Sequence, residues 1–232
     1  MIAPLIITLL IGFFIYGFDK LSPYFEHAHI RFISFSTGLF VTYLFLSMFP
    51  TMLRGREFLG NGVLFIFFWG FVVFHIAEKY VYQHSSSLRR RRSRLVRLRT
   101  LGFFVNHIIL GIAVVFFFQT GQILLGYISF LPIIFHLMSS TLIVEHLHHK
   151  VRSNPLTHLL SYMSLFFGAL IATLFRIPLE IYYGVFAFVV GILFYIIVRD
   201  TIPPYREGDS IYFLCGVVTY IILLLIEQFF TL

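Results

Sequence analysis

Acidic residues are scarce in this chain and unevenly placed: there are ten among 232 residues, and none lies between Thr100 and Val144. Charged residues of both signs together reach only 12%, too few to give a soluble globule a hydrated surface. The single cysteine, Cys215, sits inside an apolar run, which rules out an intrachain disulfide and says nothing about redox compartment. The acid-free middle has a further consequence. A cation entering it would meet neutral ligands only. What the chain has instead is apolar residue: 59% hydrophobic, with a mean hydropathy of +0.92. That composition is expected of an integral, all-α membrane protein, and no appended soluble domain is expected within it.

A spanning helix needs about 20 apolar residues. Charge-free runs predict eight, over residues 2–18, 32–53, 58–77, 100–118, 123–144, 157–175, 181–198 and 210–226. The fourth and fifth arise from one long run, divided at the polar break Gln119-Thr120-Gly121-Gln122. The opening MIAPLIITLLIGFF has neither a positive leader nor a small-residue cleavage site, so it is expected to remain as the first helix.

Eight spans put both termini on one side, and the distribution of Lys and Arg selects which. With the termini outside, fourteen of the seventeen basic residues fall on the cytoplasmic side, and only Arg54, Arg56 and Arg176 stay outside. The expected location is the cytoplasmic membrane. The net charge of +7 is then a matter of loops rather than of nucleic acid, which is not an expected partner. Half of those fourteen come from the basic loop 85–99, where seven arginines lie between Arg89 and Arg99. Its first reading is a topology anchor beside anionic lipid head groups, and its second a regulatory lipid or partner site.

One internal echo is present. Gly38 precedes Pro50 in the second helix, and Gly191 precedes Pro203 in the seventh, at the same spacing. These two helices run in opposite directions, as an inverted repeat requires, and a three-plus-two-plus-three layout follows with helices four and five at the centre.

All ten histidines lie within spans or at inner helix ends. His75, His107 and His136 are intramembrane, where an ionisable group is costly and points either to function or to packing through a hydrogen bond. His107 and Asn106 stand about 10 Å into the fourth helix and His136 about 15 Å into the fifth. Antiparallel neighbours would bring them together, and imidazole suits zinc, copper, iron or nickel. Gly111, one turn beyond His107, would admit a second backbone. A separate candidate is the inner end of the fifth helix, where Glu145, His146, His148 and His149 have spacings that let one face offer several ligands. An interfacial helix end is the plainer reading of that cluster. His75 and Glu78 are expected at the interface, with Glu78 paired to Lys79 or an arginine.

Taken together, these residues resemble the ZIP family of zinc- and iron-regulated-type metal transporters. Ser36-Thr37-Gly38-Leu39-Phe40 through Phe49-Pro50 resembles that family's second helix, His75-Ile76-Ala77-Glu78-Lys79 its third-helix ending, and Gly191 to Tyr195 with Pro203 its seventh. The resemblance covers the whole chain in layout. It implies a ZIP-like 3+2+3 inverted-repeat bundle with outside termini, moving a divalent transition metal, zinc first, into the cytoplasm between helices four and five. The metal motifs depart from the family's. Asn106-His107 stands where the family has His-Asn, Leu110 where it has aspartate, and Thr51 where the second helix offers an acid; His136 alone matches a ligand directly. A ZIP-like protein that senses metal or serves as a scaffold without transport is the alternative. Enzymatic activity is not expected, since His146-x-His148-His149 lacks the further spaced histidine boxes of membrane oxygenases. Zn2+ or a similar ion is expected as cargo or bound ion, with no other cofactor. Lipid and metal are the expected partners, and a homodimer is a further candidate.

Overall fold

The protein is described by a computed structural model covering residues 2–21, 29–84, 88–148, 163–175, 177–197 and 208–231. Eight principal helices account for nearly all of it, and no strand occurs among the described residues. They are α1 (Ile2–Leu21), α2 (His29–Tyr43), α3 (Gly62–Gln83), α4 (Leu88–Gln119), α5 (Ile123–His148), α6 (Ser164–Leu174), α7 (Leu179–Ile196) and α8 (Ser210–Thr231). α2 runs on without a break through a π-helical turn, Leu44–Met48, into Phe49–Arg54, and the short helix Arg56–Leu59 follows.

Proline explains the π turn. Pro50 has no N–H for the carbonyl one turn back, and its ring crowds that carbonyl; the backbone widens, and the Phe49 N–H reaches back to the Leu44 carbonyl. Glycine explains the turn between α4 and α5. Gly121 has φ of 80°, a region that side-chain-bearing residues avoid, so the helix stops at the predicted break.

Among the described residues, four helices are long and apolar enough to cross a membrane: Ile30–Leu59, Gly62–Gln83, Leu179–Ile196 and Ser210–Phe230. Ile2–Phe18, Phe104–Gln119, Ile123–Ser139 and Ser164–Leu174 are apolar but shorter. The outer surface is apolar too, with Phe13, Phe65, Trp69, Leu225 and Phe229 all more than half exposed. In water such a surface would aggregate, whereas lipid accepts it. Hydroxyls are accommodated within single helices. Thr8, Thr42, Ser129, Thr173 and Thr219 each donate to the carbonyl four residues back, so these hydroxyls need no partner on another helix.

Three close helix pairs organise the bundle: α2 with α8, α3 with α7, and α4 with α6. Each crosses through a reciprocal pair of glycines. A Cβ on Gly38 would strike the Phe213 carbonyl, and one on Gly216 the Phe35 carbonyl. Gly70 meets Phe188 and Gly191 meets Phe67 in the same way, as Gly111 meets Leu165 and Gly168 meets Ile108. Without a hydrophobic driving force between helices in lipid, close backbone approach is the main source of packing energy, and only glycine permits it. Gly111 thus does what its position predicted. α5 lies among these pairs, chiefly against α2 and also against α4, α1 and α8.

The arginine-rich segment differs from expectation. Instead of a loop, Leu88 onward is helical and continuous with α4. Arginine has high helix propensity, and nothing between Leu88 and Thr100 breaks a helix.

Candidate functional site

The centre of the bundle is where α2, α4 and α5 meet. His136 of α5 is 3% exposed and stacks on Phe40 of α2, with ring centres 3.8 Å apart and planes 8° from parallel. On its other side, His107 of α4 presents its ring edge-on at 6.3 Å and 85°. Two imidazoles that share one tetrahedral zinc have ring centres about 5 Å apart. The pair stands wider than that. Ser139 donates to the His136 carbonyl at 3.0 Å, which fixes the helix turn that carries the ring. Pro132, one turn earlier, removes a rung of the helical ladder just before the site.

Asn106 is 1% exposed, and neither its amide oxygen nor its nitrogen has a hydrogen-bond partner among the described residues. The fold thus brings His107 and His136 together, and it buries Asn106 beside them without joining it to either ring. No group of three or more His, Cys, Asp or Glu placed to hold a metal occurs among the described residues. The inner cluster is a different matter. Glu145, His146 and His148 fall in the last turns of α5, but their side chains, and His149 entirely, lie outside the described residues.

Glu78 corrects an expectation. Expected at the interface and paired to a cation, it is 1% exposed, buried between α3 and α7, where it accepts a hydrogen bond from the Tyr195 hydroxyl at 2.9 Å. His75, one turn before it, is exposed on the surface of α3 with its ring 5.5 Å from that of Tyr195. Lys79 is exposed. Thr51, at the acid position of the resemblance, is buried.

The sequence reading missed a stripe on α2. Ser36, Phe40, Tyr43 and Ser47 recur at four, three and four residues, one helical face, and all are buried. Ser47 is hydrogen-bonded to the Tyr220 hydroxyl of α8 at 2.7 Å. The Tyr43 ring packs edge-on against Tyr220 at 5.6 Å, and its hydroxyl has no hydrogen-bond partner among the described residues; nor do those of Ser36 and Tyr182. Tyr182 of α7 stacks on Phe116 of α4 at 3.6 Å. The spacing of hydroxyl and aromatic residues along α2 was the available signal. Each buried polar group left without a partner costs about 1–3 kcal/mol, so four such side chains in one core are a marked concentration.

No family model matches the chain, and no curated protein matches it.

Proposed function

We propose that the chain is a ZIP-like protein of the cytoplasmic membrane, with eight spans and outside termini, that moves a divalent transition metal, zinc first, into the cytoplasm past His107 and His136. The observation that carries this reading is the convergence of the two imidazoles in a buried core between α4 and α5. Intramembrane histidines default to function, and a pair on facing helices is suited to passing a soft or borderline cation.

The helix pairing supports the 3+2+3 inverted repeat. A repeat that carries α2 onto α7 and α3 onto α8 would exchange the Gly38–Gly216 crossing with the Gly191–Gly70 crossing. Corresponding parts at corresponding places are what inverted topology produces. No catalytic step is part of the proposal.

A second reading, a ZIP-like protein without transport, is favoured by one specific arrangement. His136 is stacked flat on Phe40, and no carboxylate lies between Thr100 and Val144 to offset ion desolvation, which costs several kcal/mol even after relaxation. Purified protein reconstituted in vesicles separates the two. Zinc, iron, manganese or copper uptake above empty vesicles is the outcome expected of a transporter. Absence of uptake for all four, with metal still bound by the wild type, assigns the sensing or scaffold role.

A further inference from the structure

Ser36, Tyr43, Asn106 and Tyr182 come from α2, α4 and α7, yet they face one core and share one property: each is at most 3% exposed and has a polar atom with no hydrogen-bond partner among the described residues. They are linked in space. Ser36 and Tyr43 lie on the α2 stripe on either side of Phe40, which stacks on His136; His136 faces His107, the neighbour of Asn106; and Tyr182 stacks on Phe116 of α4, the helix that carries Asn106. Phe116, which stacks on Tyr182, is ten residues along α4 from Asn106, so the column rises about 15 Å, half of a bilayer's hydrocarbon core.

We propose that this column holds a chain of ordered water molecules. Native interiors rarely leave a buried donor or acceptor unmet, and where no protein group serves, a bound water with about three hydrogen bonds does. The column offers what such water needs: phenol and serine hydroxyls that both donate and accept, and an amide with two donors and an acceptor. Ser47 is engaged with Tyr220, while Ser129, which donates to the Leu125 carbonyl, can still accept and lies beside the Tyr43 hydroxyl.

The inference deepens the proposed function and rests on the helices being membrane spans. A cation reaching His107 and His136 would keep part of its hydration shell, and water held by the column would stand in for the carboxylates that the stretch Thr100 to Val144 lacks. The cargo is then a partly hydrated metal ion rather than a bare one.

Hydroxyl-radical footprinting of the wild-type protein in lipid nanodiscs tests this, since radicals formed from bound water mark buried rings beside it. Tyr43 and Tyr182 are expected to be labelled several-fold faster than Phe117, an equally buried ring outside the column. Labelling of both tyrosines no faster than Phe117 overturns the inference. Zinc uptake by vesicles made from the same preparation keeps the two claims apart. Labelling without uptake sustains the hydrated column and sinks transport, while uptake without labelling does the reverse.

Discussion

His136 is held on two faces by groups that cannot replace each other. Phe40 supplies a flat apolar surface, and His107 a second nitrogen-bearing edge. If the pair handles metal, His136→Ala lowers zinc uptake by about tenfold or more, equivalent to about 1.4 kcal/mol of lost ligand energy, without changing the melting temperature by a comparable margin. A histidine acting only as packing would show the opposite pattern, with uptake tracking stability. Tyr195→Phe addresses the buried bond to Glu78. Hydrogen bonds between membrane helices average about 0.6 kcal/mol and reach about 1.7, so a loss of that size in reversible unfolding in detergent is expected. A neutral result would mean that Tyr195 contributes only its ring. At this scale the sequence placed His75, His107 and His136 within spans; His107 and His136 are buried and His75 is exposed. The sequence could not show Glu78 as buried, because a carboxylate three residues after a histidine and beside Lys79 at a helix end has the pattern of an interface; only the approach of α7 supplies Tyr195.

Helix contacts here are set by glycine rather than by large apolar side chains. Gly191→Ala would drive a methyl group into the Phe67 carbonyl and force α3 from α7, at a cost of about 1–3 kcal/mol. Gly62 has open space around it, so Gly62→Ala is the matched control and is expected to be neutral or slightly stabilising. Equal loss for both would mean that the crossing is not a close one. The arginine-rich turns at the start of α4 are a helical extension of about 18 Å when counted from Leu88 to Arg99. Replacing three of the seven arginines with glutamine should weaken the embedded protein's partitioning toward anionic over neutral lipid by about 1 kcal/mol per residue, read from the lipid composition retained in nanodiscs of mixed lipid. Unchanged partitioning would remove the lipid role. The number of helices and the α4–α5 break were legible because apolar runs and a Gly-containing polar tetrad are local signals. The helical state of the arginine run was not, since charge repulsion argues for a loop and arginine's propensity for a helix.

As a whole, the molecule is an apolar bundle whose exterior suits lipid and whose interior gathers hydroxyls and imidazoles around α5. The glycines that Gly38 and Gly191 meet across their crossings, Gly216 and Gly70, carry no signal in the sequence. Long-range partners of this kind depend on which helices touch, and no local pattern carries that. The same holds for the α2 stripe, whose hydroxyls gain meaning only once α5 and α7 are seen to face it. The central claim is that the His107–His136 core passes a metal ion, and the measurement that bears on it most directly is zinc uptake into vesicles loaded with a zinc-sensitive dye, comparing wild type, His136→Ala and empty vesicles. The account predicts wild-type uptake well above empty vesicles and His136→Ala close to them; wild-type uptake indistinguishable from empty vesicles would contradict it.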